Sequence, residues 1–80
     1  MALPAKEIIL EFVQETNERT QRVGNNLMLI ERGAANKEVV DELYRDMHTI
    51  KGNAQLFGFV QIGQIAHAME TCLDPMRRNE

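Results

Sequence analysis

The spacing of apolar residues limits what this chain can fold into more than any other feature of its sequence. Apolar side chains recur every three or four positions along most of the chain, which is the repeat of an amphipathic helix. The repeat is interrupted at Gly33 and Gly58, and glycine often ends a helix because it adopts the left-handed conformation at little cost. The sequence therefore predicts an all-α domain without strands, with helices over about residues 5–32, 37–57 and 60–73.

Residues near the predicted helix ends indicate where each helix starts and stops. Pro4 suits a first helical turn, which does not need the missing N–H, and Asn36 is predicted to cap the second helix through its side-chain oxygen. Pro75 predicts that the third helix ends or kinks close to Leu73, although it could continue with a bend through Met76 to Asn79. Gly24 costs the first helix about 1 kcal/mol relative to alanine, so it is the weakest point of the one long helix predicted over residues 5–32.

Each predicted helix carries one apolar stripe that we expect to be buried, and the short loops favour an antiparallel bundle. Cys72, on the last helix, is also predicted to be a small buried residue. The stripe residues are Ile9, Phe12, Val13, Thr16, Thr20, Val23, Leu27 and Ile30 in the first helix, Val40, Leu43, Met47, Ile50, Ala54 and Phe57 in the second, and Ile62, Ile65, Ala66, Met69 and Leu73 in the third.

The composition limits the classes of function. Eighty residues provide one small domain. The formal net charge is −3 and the nine Lys and Arg residues are scattered, which argues against a nucleic-acid-binding protein. The longest apolar run, Leu27 to Ile30, is too short to cross a membrane. The single cysteine cannot form an internal disulfide. We therefore expect a cytoplasmic protein.

A polar patch borders the apolar stripe of the second predicted helix. His48 lies one residue off the stripe, so we expect its ring at the edge of the buried face. Lys51 and Gly52 follow three and four residues later, which places them on the same face one turn further along. A histidine, a cation and a missing side chain thus share one surface, which we predict to be the functional site.

The residues of this patch belong to a longer motif. Residues 48–59 read His-Thr-Ile-Lys-Gly-Asn-Ala-Gln-Leu-Phe-Gly-Phe, and residues 65–70 read Ile-Ala-His-Ala-Met-Glu. The combination resembles the signature of histidine-containing phosphotransfer (HPt) domains, His-x-x-Lys-Gly-x-Ala followed by Phe-Gly-Phe. It is most similar to the N-terminal phosphotransfer domain of CheA-type chemotaxis histidine kinases. The resemblance is close over residues 40–74, whereas residues 5–33 match as a helix of suitable length.

The resemblance implies a four-helix bundle, of which only three helices are predicted in this sequence. We therefore expect residues 1–80 to be a single HPt domain from the N-terminal part of a longer kinase, with the fourth bundle helix missing. An apolar groove should then remain open, and self-association or a partner could fill it.

The resemblance also implies a phosphoryl carrier. His48 would accept phosphate from ATP through a separate kinase catalytic domain and pass it to an aspartate of a response regulator receiver domain. The domain itself would be a phosphoacceptor and not an enzyme; ATP and magnesium would be used by its partner domains, and no cofactor or metal is expected in this chain. Chemotaxis-type signalling is the expected setting, with an HPt module of a hybrid sensor kinase or a free-standing HPt protein as alternatives.

Each residue of the patch has an expected part in this chemistry. An antiparallel third helix can bring Glu70 opposite His48, where its carboxylate would accept the Nδ1–H and orient the imidazole. Lys51 would neutralise charge on the phosphoryl oxygens. Gly52 would keep the surface low for a docking partner. By resemblance, His67 supports the hydrogen-bonding network around the phosphorylated ring.

Two hypotheses of other classes stay open at this stage. His48, His67 and Glu70 could bind a metal ion between two helices, although nothing supplies a fourth ligand and Lys51 would repel a cation. Alternatively, the chain could be a helical module for dimerisation or docking, which leaves the register of His48, Lys51 and Gly52 unexplained.

Overall fold

The computed structural model of the protein describes residues 5–78, which form three α-helices and no strand. Helix α1 spans Ala5–Glu31, α2 spans Lys37–Phe57 and α3 spans Val60–Arg77. The all-α prediction is confirmed for this part of the chain. The predicted bounds of α1 and α2 differ from the observed ones by at most one residue, and α3 is longer than predicted.

The helix ends follow the local signals in the sequence. The Asn36 side chain accepts a hydrogen bond from a backbone N–H in the first turn of α2 over 2.9 Å, as predicted. Gly33 and Gly58 both have left-handed backbones, with φ of 78° and 76°, which confirms them as helix terminators. Helix α1 passes through Gly24 without a break. The prediction for Pro4 concerns a residue outside the described part.

Helix α2 lies at the centre of the domain. It packs against both α1 and α3, whereas the backbones of α1 and α3 do not approach each other closely. Because the loops are short and consecutive helices are in contact, the helices run antiparallel. The predicted stripe of α2 is confirmed, with Leu43 fully buried and Phe57 half-buried. The central core consists of Val23, Leu43, Met47, Ile50, Ala66 and Leu73.

The stripes predicted for α1 and α3 are only partly buried. Because the backbones of these two helices stay apart, the surface between them is an open apolar groove of about 330 Å³, lined by residues of all three helices, among them Val23, Ile50 and Ile65. We call this the α1–α3 groove. The predicted core residues that are instead exposed are Ile9, Val13, Thr20, Leu27, Ile62 and Ile65.

Helix α3 continues for one turn beyond its predicted end. Pro75 has no N–H to donate and is expected to weaken the helix, yet α3 reaches Arg77. Tertiary contacts on both sides of the proline account for this difference, because Leu73 is buried in the core and the Arg77 guanidinium lies over the Tyr44 ring. Cys72 is exposed and not buried as predicted, since α3 buries the neighbouring position 73 against α2.

A buried carboxylate joins α1 to α2. The Asp46 side chain is only 3% exposed and accepts hydrogen bonds from Arg22 Nε and Nη2 at 2.8 and 2.7 Å and from Arg19 Nη1 at 2.9 Å. Burial raises the pKa of Asp46, but the hydrogen bonds and charges of the two arginines outweigh it and hold the pKa below its ordinary value. We call these three residues the Asp46 cluster. Sequence reasoning did not find it.

Three phenylalanines close the end of the domain where α2 turns into α3. The ring centroid of Phe12 lies 4.9 Å from that of Phe57 and 5.2 Å from that of Phe59, within the range of favourable aromatic pairs. The three rings thus provide a second attachment of α1 to the rest of the domain, close to its N-terminal end.

Candidate functional site

The predicted site is assembled where α2 faces α3. His48 projects from α2 with 63% of its side chain exposed, while Glu70, on α3, is 6% exposed. The distance from His48 Nδ1 to Glu70 Oε1 is 2.6 Å. A carboxylate can only accept a hydrogen bond, so Nδ1 carries the proton and the neutral ring keeps its free lone pair on Nε2. The structure thus brings together the two residues that the helix register predicted to meet.

The second oxygen of Glu70 is also occupied. Lys51 Nζ lies 2.6 Å from Glu70 Oε2, and the lysine side chain is 21% exposed. Burial raises the pKa of Glu70, but the hydrogen bond and charge of Lys51, and then those of His48, outweigh burial and hold the pKa below its ordinary value. At neutral pH the carboxylate is therefore ionised and held between the Lys51 side chain and an imidazole.

Lys51 makes a contact that the sequence did not predict. Its ammonium group pairs with Glu70. The ammonium group remains within one helical turn of His48. It therefore compensates the buried carboxylate in this structure, and its action on a phosphoryl group stays a prediction.

The other two predicted residues lie on the surface around the ring. His67, on α3, is exposed and lines a small cavity of about 160 Å³ together with Lys51 and Glu70. Gly52 is exposed, and a Cβ atom at this position would meet no other atom within 4 Å in the described part of the chain. Packing within residues 5–78 therefore does not require a glycine at this position.

Two residues near His48 were missed by sequence reasoning. The Tyr44 ring lies nearly parallel to the imidazole, with the centroids 6.4 Å apart and the planes 7° apart. The Arg77 guanidinium carbon is 4.2 Å from the centroid of the Tyr44 ring. The position of Tyr44 one turn before His48 could have indicated the first contact. The second was hidden because Pro75 favoured an end or a kink near Leu73, before Arg77.

The alternative metal site is not assembled. Among residues 5–78, no group of three or more His, Cys, Asp or Glu side chains is arranged to hold a metal ion. Lys51 also pairs with Glu70 Oε2.

The family model of the Hpt domain matches residues 7–80 of this sequence. The chain belongs to the Hpt domain family. This match confirms the resemblance to HPt domains that the motif of residues 48–59 indicated. The helical fold of residues 5–78 agrees with it.

Curated relatives of this Hpt domain include chemotaxis proteins CheA. The domain is 38% identical over 68 residues to CheA of Listeria monocytogenes and 40% identical over 67 residues to CheA of Halobacterium salinarum, covering 85% and 84% of this chain. It is 31% identical over 75 residues, 94% of this chain, to the gliding motility regulatory protein of Myxococcus xanthus.

The Hpt domain spans about a tenth of the length of these relatives, namely 11%, 10% and 10%. No solved structure matches the chain. Within residues 5–78, none of the helices is both long and apolar enough to cross a membrane.

Proposed function

We propose that this Hpt domain is a phosphoryl carrier of a two-component phosphorelay, with His48 as the phosphoacceptor. The observation that carries the proposal is an exposed imidazole whose Nδ1–H is held by a buried, ionised carboxylate. This arrangement leaves the Nε2 lone pair directed to the outside of the domain, where a second protein can reach it.

The proposed chemistry consists of two displacements at phosphorus. In the first, the Nε2 lone pair of His48 attacks the γ-phosphorus of an ATP bound with magnesium to a kinase catalytic domain. The N–P bond forms while the bond to the bridging oxygen breaks, and its electron pair leaves with ADP. In the second, a carboxylate oxygen of a receiver aspartate attacks the same phosphorus, and the N–P electron pair returns to Nε2.

The residues around His48 have supporting parts in this proposal. Glu70 fixes the tautomer and stabilises positive charge that develops on the ring during attack. Lys51 balances the Glu70 charge before transfer and is close enough to turn toward the phosphoryl oxygens. His67 supports the phosphorylated ring from the neighbouring cavity wall. Gly52 leaves the surface beside the ring low for the docking domain.

We further propose that the parent chain is a cytoplasmic CheA-type histidine kinase acting in chemotaxis-type signalling. The support is the similarity to CheA proteins over most of this chain. An HPt module of a hybrid sensor kinase and a free-standing HPt protein are the alternatives. The domain itself carries the phosphoryl group, and catalysis of the first step belongs to the kinase catalytic domain.

The test is phosphorylation by a CheA-type catalytic core with radiolabelled ATP, followed by addition of a receiver domain. The chain has two histidines, so His48→Gln and His67→Gln form a matched pair. We expect acid-labile label on the wild type and on His67→Gln, transfer of that label to the receiver, and none on His48→Gln. Equal label on His48→Gln would contradict His48 as the phosphoacceptor. No label on the wild type with several kinase cores would contradict the carrier function and favour the alternative, a helical docking module.

The α1–α3 groove supports a second, structural proposal. In the four-helix bundle implied by the family, a fourth helix would cover this groove, and we propose that the isolated 80-residue chain fills it by self-association. Sedimentation should then show concentration-dependent association that Ile65→Glu abolishes. Leu56→Glu is the control, because Leu56 is 79% exposed and lies outside the groove. A wild type that stays monomeric at all concentrations would contradict this proposal.

A further inference from the structure

The imidazole of His48 touches α3 directly through Glu70 and has a second, indirect connection to the same helix. Tyr44, one turn before His48 on α2, presents a ring whose plane is within 7° of the imidazole plane. The Arg77 guanidinium lies over that tyrosine ring at 4.2 Å, which is a favourable cation–π distance. Two residues of α3 are therefore connected to His48, Glu70 directly and Arg77 through the Tyr44 ring.

A single hydrogen bond does not fix the orientation of an imidazole. The contact between Nδ1 and Glu70 Oε1 sets the position of one nitrogen, but the ring can still tilt about that contact and carry Nε2 away from its direction of attack. His48 is 63% exposed, so little else in the described part of the chain restricts this tilt. Efficient phosphoryl transfer requires the attacking atom to be in line with the leaving group.

We infer that Tyr44 and Arg77 are positioning residues for His48. The parallel tyrosine ring limits the tilt of the imidazole on one side, and its centroid distance of 6.4 Å lies within the range over which aromatic rings attract. Tyr44 is itself half-buried and packs against the central core. Arg77 holds the tyrosine ring in this orientation. This inference rests on the proposed function of His48 as a phosphoacceptor.

The last turn of α3 is necessary for this arrangement. Asp74 forms an ion pair with Arg77 at 3.2 Å, and the same guanidinium lies over the Tyr44 ring of α2. Had α3 ended at Leu73, no arginine would reach Tyr44 from this helix. The continuation of the helix through Pro75 therefore has a consequence at the active imidazole, although Arg77 never touches the ring that reacts.

The test compares four variants of the 80-residue chain. Tyr44→Leu removes the ring, Tyr44→Phe keeps it, and Arg77→Gln removes the cation over it. Arg45→Gln is the control, since it removes the same charge from an exposed residue next to Tyr44. For each, we would measure the initial rate of phosphorylation by a kinase core, the His48 Nδ1–H signal by nitrogen-15 NMR, and the melting temperature by circular dichroism.

We expect Tyr44→Leu to lower the initial rate by between about twofold and tenfold, the effect of one aromatic pair. Its Nδ1–H signal should weaken because the contact with Glu70 is held for less of the time. Arg77→Gln should lower the rate about twofold, and Tyr44→Phe and Arg45→Gln should match the wild type in rate and in signal. The total amount of label reached at long times should not change.

Two results would overturn the inference. One is that the wild type is labelled and that Tyr44→Leu and Arg77→Gln are labelled at the same initial rate as the wild type. The other is a lower rate that follows the melting temperature while the Nδ1–H signal stays unchanged, which would make the residues merely structural. If Tyr44→Leu does not fold, the rate of Arg77→Gln tests the inference alone, because Arg77 is exposed and its replacement leaves the core intact. A failure of the proposed function would look different, since the wild type would then carry no label on His48.

Discussion

The two faces of α2 each hold a buried carboxylate with two nitrogen-bearing partners, yet only one of them is suited to chemistry. Toward α1, Asp46 is bound by Arg19 and Arg22, which are permanently charged. Toward α3, Glu70 is bound by Lys51 and by His48. In both clusters the partners outweigh burial and lower the carboxyl pKa.

The two clusters differ in the chemistry of the side chains that bind the carboxylate. An arginine has no lone pair to offer and does not release its proton in proteins, so the Asp46 cluster can only hold two helices together. A histidine held through Nδ1 keeps a reactive nitrogen on its other side, and His48 exposes that side to solvent. A buried, paired carboxylate therefore indicates function only when one of its partners is both exposed and able to react.

The strongest test of this comparison is to remove His48, the partner of Glu70 that we propose reacts. His48→Gln should abolish phosphorylation completely while leaving helicity and melting temperature close to the wild type, because most of the side chain is outside the core. Circular dichroism and the labelling assay check both parts. If the variant unfolds, the histidine is a structural residue and the two clusters are alike.

The reverse result is expected at the other face. Asp46→Asn should reduce the free energy of unfolding by about 2 kcal/mol, since breaking a buried ion pair is costly and the exposed parts of the arginines soften the loss. The rate of phosphorylation per folded molecule should not change. Urea unfolding measures the effect, with Glu15→Gln as a control that removes an exposed ion pair to Arg19 and should cost less than about 0.5 kcal/mol. Equal losses in both variants would show that the Asp46 cluster contributes no more than a surface pair.

Glu70→Gln should combine a moderate loss of rate with a modest loss of stability. Glutamine can still accept a hydrogen bond from His48, but it carries no charge to stabilise the ring or to pair with Lys51. We expect phosphorylation to slow by about tenfold with the label still on His48. An unchanged rate would show that Glu70 takes no part in phosphoryl transfer and, like Asp46, only holds two helices together.

Both carboxylates make stability depend on pH in the same direction. Their folded-state pKa values lie below the ordinary values of 3.8 for Asp46 and 4.5 for Glu70, so the unfolded chain binds protons more readily in acid. Their contribution is complete above about pH 5 and is lost progressively as the pH falls below these values. Urea unfolding between neutral pH and pH 3 should show this decline, and it should be shallower in Asp46→Asn. A stability that does not change in acid would contradict both pKa shifts.

The smallest expected effect concerns the surface beside the ring. Gly52→Ala and Gly24→Ala both place a methyl group in open space on a helix, and each should stabilise the chain by about 0.5–1 kcal/mol. Only Gly52→Ala should slow phosphorylation, by about threefold, which corresponds to about 0.7 kcal/mol at a docking surface. Equal rates in the two variants would mean that the partner does not approach over Gly52.

The sequence was sufficient for the parts of the fold that depend on local chemistry. The apolar stripe of α2, the Asn36 cap and the two left-handed glycines were predictable because each depends on neighbours within one or two turns. The contact between His48 and Glu70 was predictable because an antiparallel helix pair allows few registers.

The features that sequence reasoning missed depend on partners distant in the chain. Asp46 lies 24 residues from Arg22, and its place beside the apolar stripe was the only available signal. The exposure of Ile65 follows from the separation of α1 and α3, which no single-helix pattern contains. The extension of α3 to Arg77 depends on tertiary contacts that outweigh the intrinsic cost of Pro75.

The separation of α1 from α3 has a consequence for how the domain opens. Helix α1 is joined to the rest of the domain by the Asp46 cluster, by the contacts of Phe12 with Phe57 and Phe59, and by Val23 in the core. None of these contacts involves His48 or Glu70, so we expect α1 to detach as a unit without breaking the contact between those two residues. Backbone amides of α1 should then exchange with deuterium through partial opening, while those of α2 and α3 exchange only when the whole domain unfolds. His48 should thus belong to the more persistent of two cooperative units.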